Sequence, residues 1–281
     1  KRNITMNKNL SYFFFGLSIL SLGTINGQNC NVFLLNKDTL QYEACLISET
    51  TVGYYQYSRK YQEILDKAIE KCPHFSYAYS KKSTAYLKSG DFITWKYLID
   101  KAVEYDFREH IGYRGFCKFQ FFRDYQGAID DIEALEAVAK GNIGFSPGGH
   151  YHLKVAKALC YKRLGNVEKA IKILEQYVQD STTQISVFDH LHLGVMYLQI
   201  GEYDKAIDQF NLQSKKNEIA ENQYYLAICY EKIKSDDLFN SHIIKAKEMY
   251  LSNQKLAIDY TEPVDRIYLE DINLAMMKHQ E

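Results

Sequence analysis

Residues Asp189 to Gln213 read DHLHLGVMYLQIGEYDKAIDQFNLQ, and the fold turns on how the rest of the chain echoes this stretch. Its apolar residues recur at helical spacing on both sides of Gly201-Glu202-Tyr203, which predicts two amphipathic helices joined by a tight turn. Leu193-Gly194 and Tyr197 belong to the first helix, Ala206 and Phe210 to the second. Helix axes come within about 8–10 Å only where the contacting residues are small, so Gly194 and Ala206 mark the approach and the large residues fill the gaps.

The same template returns at a period of about 34 residues. Tyr79, Ser83, Tyr86, Gly90-Asp91-Phe92, Ile99 and Ala102 form one copy; Tyr161, Gly165-Asn166-Val167, Ala170 and Leu174 form another. Asp124-Tyr125 with Ala128 and Ile132 marks a third, although its first helix, Tyr113 to Phe122, departs from the small-residue pattern. A later degenerate copy shows Leu226-Ala227, Tyr230, Ile243 and Ala246, and an earlier one Tyr61, Leu65, Ala68 and Pro73. No run alternates as a half-buried strand does.

This pattern resembles the tetratricopeptide repeat over most of residues 47–250. The resemblance implies an all-α superhelix, a solenoid of about six helix pairs. A solenoid's end repeat needs its exposed core covered, so Ala257 to Glu262 reads as a connector and Pro263 to Met277 as a capping helix. Val264, Ile267, Tyr268 and Ile272 would form its apolar face.

Composition agrees with such a fold. The chain has 281 residues, 46% hydrophobic and 25% charged, enough to bury a core, and only 3 prolines interrupt it. The 24 tyrosines suit both helix packing and recognition surfaces. A net charge of -1, with no long block of like charges, excludes the basic field that nucleic acid requires.

The first residues read as a targeting segment. Met6 and Lys8 precede an apolar run from Leu10 to Leu22, then Gly23-Thr24-Ile25-Asn26-Gly27-Gln28. The run is short for a bilayer span, and the pattern predicts a secretory signal over 1–28 with cleavage near Gln28. A retained membrane anchor is the alternative. Lipid attachment at Cys30 is disfavoured, because Asn29 stands where the lipoprotein pattern has a small residue. The mature chain is then mildly acidic, has no transmembrane span and is periplasmic or secreted. Residues 29–46 form a leader before the repeats.

Export permits oxidation, and Cys30 and Cys45, both in that leader, are the candidate disulfide. Cys117, Cys160 and Cys229 fall in small buried slots of inner helices, and Cys72 at a helix end. His150-x-His152 and His190-x-His192 are spaced two apart, which puts the members of each pair on different helix faces, so neither predicts a chelate and no metal site is expected. Gly141 to Gly149 is glycine-rich but lacks the Lys-Ser/Thr ending of a phosphate loop, and reads as an extended connector. Asp130-Asp131 and Asp236-Asp237 read as solvated acids. No catalytic motif is present, and no cofactor or catalytic residue is implied.

Proteins resembling this family bind peptides or partner proteins on the concave face lined by the first helix of each pair. Carried onto this chain, that face comprises Tyr77, Lys81, Thr84, Lys88, His110, Tyr113, Arg114, Gln120, His152, Lys162, Arg163, His192, Tyr224 and Tyr225. Its basic and aromatic character suits a carboxylate or acidic segment, with Arg114 and Arg163 offering bidentate contacts. The family's paired Lys and Asn for a C-terminal carboxylate are not reproduced. The expected function is a non-catalytic envelope scaffold engaging a protein or peptide. A glycan-binding or glycan-processing component is the alternative, because exposed tyrosines beside carboxylates also stack on sugars.

Overall fold

A computed structural model of the chain describes residues 29–180, 184–258 and 261–279. The proposed signal over 1–28 lies outside the described residues.

The repeating turn chemistry builds the pairs. Gly90, Gly165 and Gly201 each adopt a left-handed φ between 81° and 83°, the conformation that ends a helix without a Cβ penalty. The following residue then caps the next helix: Asp91 accepts from the Thr94 N–H and Asn166 from the Lys169 N–H. The recurring Gly-Asp-Phe and Gly-Asn-Val are therefore a helix stop followed by a helix start. Arg123 and Lys234 take the glycine's place in two other pairs at φ 54° and 60°, and these are two of the pairs whose sequence departs most from the template.

Six helix pairs result. They are α2 (Thr39–Glu49) with α3 (Arg59–Lys71), α4 (Ser76–Ser89) with α5 (Phe92–Tyr105), and α6 (Phe107–Cys117) with α7 (Tyr125–Val138). They continue as α8 (Leu153–Arg163) with α9 (Val167–Gln179), α10 (Asp189–Gln199) with α11 (Tyr203–Lys216), and α12 (Ala220–Lys232) with α13 (Asp236–Leu251). Each pair also packs on the next, as a solenoid requires. Where the template has its small residue, the fit is tight: a Cβ built on Gly194 would stand 2.5 Å from the Phe210 ring.

The first pair begins earlier than residue 47, because Thr39–Glu49 is itself an inner helix; among the described residues α1 (Asn31–Leu35) precedes it. Cys30 and Cys45 are bonded, with Cα atoms 5.6 Å apart, and tie α1 to α2. Cys72, Cys117, Cys160 and Cys229 are buried thiols.

At the other end, α14 runs from Leu269 to Lys278 and packs on α13. It starts after Tyr268, where a reciprocal cap with Asp271 forms, and not at Pro263. Asp265 sits at φ 66°, which breaks any helix through Pro263–Tyr268. Of the expected apolar face, Ile267 and Ile272 pack with the last pair, whereas Val264 belongs to the central core with Leu256. No described helix is long and apolar enough to cross a membrane.

Candidate functional site

The inner helices α4, α6, α8, α10 and α12 share one face, and the chain comes back to it after α13. The turn is fixed by backbone hydrogen bonds: the Ala220 N–H donates to Gln254 O, and the Leu256 N–H donates to the buried Glu221 carboxylate at 2.8 Å. From there the described residues of the return segment, 256–258 and 261–267, pass the inner helices. Ile258 lines a cavity together with Thr84 of α4 and Tyr113 of α6. Gln120 donates to the Thr261 hydroxyl. Val264 enters the core with Tyr151 and Leu191.

Asp265 is the fastening point. One carboxylate oxygen takes Lys162 Nζ of α8 at 2.5 Å, and the other takes His192 Nδ1 of α10 at 2.8 Å. The Tyr225 hydroxyl of α12 donates to the Asp265 carbonyl at 3.2 Å. Side-chain exposure is 5% for Lys162, 0% for His192 and 7% for Asp265, so this is a buried ion cluster. Burial alone would raise the Asp265 carboxyl, but Lys162 and His192 outweigh it and hold it well below the usual carboxylate range. The Tyr151 ring stacks on His192 at 5.8 Å, and burial pushes its phenol up.

Upstream of this fastening the face is open. A cavity of about 490 Å³ is lined by Lys81 and Thr84 of α4, Tyr113 of α6, Gln120, His150 and Ile258. A second, about 270 Å³, adjoins it at Gln120 and reaches Arg123, Arg163 and Glu262. The junction is made by a π-helical turn, Lys118–Phe122, that continues α6. The extra residue per turn keeps Phe119 in the core while Gln120 and Phe121 line the cavity, a distortion often found at functional positions. Gly148 and Pro147 of the glycine-rich stretch form part of the rim. That stretch is a closed turn, with the Ser146 N–H donating to Tyr151 O at 2.7 Å.

The structure divides the predicted binding residues into groups. Lys81, Lys88, Tyr113 and Gln120 share the open cavity, and Arg163 lines its extension. Tyr77 is half-buried under the Lys81 ammonium, 5.1 Å from its ring centre. Lys162, His192 and Tyr225 hold the return segment, and Tyr224 packs edge-on against Tyr225. His110 is buried on Ser76 Oγ at 3.1 Å. His152 is the N-cap of α8, accepting from the Lys154 N–H while Nε2 meets Asn142 Oδ1 at 2.7 Å. His152 and His192 are thus interior groups, not surface polar residues.

Arg114 is the clearest correction. It donates two bonds to Asp131, at 2.8 and 2.9 Å, and one to Asp100 at 2.9 Å, and it lies beside Phe92 and Phe122, away from the cavity at Tyr113. Asp131, expected to be solvated, is buried because Arg114 and Lys118 neutralise it. Asp265, Thr261, Ile258 and Arg123 escaped the sequence reading. For Ile258, Thr261 and Asp265 the sequence mark is the departure from helical spacing around Pro263.

Comparison with known proteins agrees with this geometry. Residues 156–181 match the sequence profile of the tetratricopeptide repeat. PilF of Pseudomonas aeruginosa is similar in fold at a TM-score of 0.58 and 15% identity, over 77% of this chain and 94% of that one. YrrB, a TPR protein with an unusual peptide-binding site, gives 0.56 and 17% over 78% of this chain and 100% of its own. PilW, a widely conserved type IV pilus biogenesis factor, gives 0.57 and 9% over 88% and 94%. No curated protein sequence matches the chain.

Proposed function

As this chain is a tetratricopeptide-repeat protein, we propose that it is a non-catalytic adaptor that holds a segment of a partner protein or a peptide against its concave face. The observation that carries this reading is the return segment: the face already grips an irregular stretch of polypeptide with side chains from the π turn and from α8, α10 and α12. YrrB, similar in fold, has a peptide-binding site, and PilW serves in pilus biogenesis.

The same reading places the adaptor in the cell envelope, periplasmic or secreted. Residues 1–28 are the signal that is removed, followed by a disulfide-tied leader, the repeat domain and the return segment with its capping helix. A bond between Cys30 and Cys45 suits an oxidising compartment. The glycan alternative asks for exposed tyrosines beside carboxylates; in the open cavity Tyr113 stands with Lys81 and His150 instead.

A photo-crosslinking residue at Thr84, inside the cavity, tests the proposal against one at Ile93, which is exposed on α5. Incubation with envelope extract should give adducts of defined mass from Thr84 and none from Ile93. Equal labelling from both positions, or none from Thr84, overturns the concave-face reading.

A further inference from the structure

The concave face contains one carboxylate-recognition site whose ligand is already in place. Asp265 of the return segment is bound by a cation of α8 and the imidazole of α10. That ligand is built in, because Leu256, Val264 and Ile267 on either side of it are buried in the cores. The return segment is therefore a fixed wall of the groove, and a partner must use what lies upstream.

What lies upstream offers further cations that form no ion pair with a described acid. Lys81 of α4 makes no ion pair with any described residue and rests on the Tyr77 ring. Arg123 and Arg163 reach the adjoining cavity, likewise without an ion pair among the described residues. Of the two acids there, Asp265 is taken by Lys162 and His192, and Glu262 pairs with neither arginine. No described Asp or Glu lines the larger cavity, whose walls include the apolar Phe116, Phe121 and Ile258. Two other inner-helix cations are matched internally, Lys157 by Glu136 and Arg114 by Asp131. Unmatched cations beside apolar walls are electrostatically complementary to acids carried on an apolar strand.

We propose that the open groove bounded by α4, the π turn after α6 and the return segment binds an extended acidic peptide. Carboxylates meet Lys81, Arg123 and Arg163, and bulky apolar side chains enter the cavity between Tyr113 and Ile258. The assignment rests on the concave-face adaptor reading and adds to it the chemistry of the partner.

The probe is a short fluorescent peptide alternating glutamate with leucine or phenylalanine, compared by anisotropy with its lysine counterpart. The full chain should bind the acidic peptide and not the basic one, with affinity that falls as salt is raised. Lys81→Glu/Arg163→Glu should weaken it at least about tenfold, the factor that about 1.4 kcal/mol represents. Arg163→Gln should give a smaller loss in the same direction, and unchanged melting of both variants shows that the fold is kept. Arg114→Ala should leave binding unaltered.

Equal binding of acidic and basic peptides, or acidic binding that charge reversal leaves untouched, overturns the acidic specificity while the adaptor reading stands. The same holds if the acidic peptide fails to bind while Thr84 still crosslinks a partner. Failure of both the peptide and the Thr84 crosslink removes the two together.

Discussion

The two ends of the concave face use similar side chains for opposite ends. In α8, α10 and α12 the inward groups Lys162, His192 and Tyr225 are satisfied by the chain itself, through Asp265. In α4 and after the π turn, Lys81 and Arg123 form no ion pair with a described acid. Among its described residues, the return segment fastens one half through Asp265 and flanks the other with Ile258, Thr261 and Glu262. An inner-face cation in a solenoid is thus a structural or a recognition residue according to what the chain lays over it, and its repeat position does not decide between them.

Removing the fastening is the strongest way to break this contrast. Asp265→Ala leaves Lys162 and His192 buried without their acid, and breaking one side of a buried pair costs about 3–5 kcal/mol. Urea unfolding should register that loss, and hydrogen exchange should quicken through residues 256–267. Lys162→Met added to Asp265→Ala should recover part of it, since an apolar side chain of similar length removes the unpaired charge. A loss under about 1 kcal/mol would mean that the return segment is held by packing alone. The open half then offers the control: Lys81→Met should leave stability almost unchanged.

Next in size is the disulfide at the open end. Cys30 and Cys45 are 15 residues apart, a loop worth about 3 kcal/mol in the chain-entropy model. Cys30→Ser/Cys45→Ser should lower the melting temperature and raise exchange in α2 and α3, leaving the Asp265 half unaffected. Uniform loosening of the whole stack would show the two ends to be one cooperative unit. Gly194→Ala tests the filled half by packing instead. The new methyl meets the rigid Phe210 ring, so a loss of about 1–3 kcal/mol is expected. Gly112→Ala meets only the tips of Leu153 and Leu135 and should cost less.

The repeats were legible because their signals are local. A left-handed glycine, a capping acid and a small residue opposite a large one sit within a few positions of each other, as at Gly201, Asp91 and Gly194. The return segment left no such trace. Lys162 and Asp265 meet across 103 residues of sequence, and only the closed superhelix brings them together. Lys162 and His192 looked like groove residues because periodicity assigns a helix face, not what covers it. Arg114 misled for a related reason: Tyr113, its neighbour in sequence, lines the cavity while Arg114 is drawn outward to Asp131 and Asp100.

A last contrast separates the halves by pH. Burial lowers His110 to about 4, and burial together with Lys154 lowers His152 to about 4. An unfolded histidine takes up its proton near 6.5, so between pH 6.5 and 4 the unfolded chain binds more protons and stability falls as pH falls. The slope approaches about 1.4 kcal/mol per pH unit for each histidine. At His152 a proton on Nδ1 would also destroy the acceptor that caps α8. The Asp265 cluster acts in a different window: its carboxyl is lowered, so its stabilisation is complete above the unfolded value near 3.9 and fades only below it. Asp189 and Glu221, raised by burial, act with the opposite sign, so the measurement is the difference between each variant and the parent chain. His152→Asn keeps a capping acceptor and should flatten the decline between pH 6.5 and 4, as should His110→Gln. Asp265→Ala should leave that slope in place. A decline in the parent that neither histidine variant reduces would transfer the acid sensitivity to groups outside this pair.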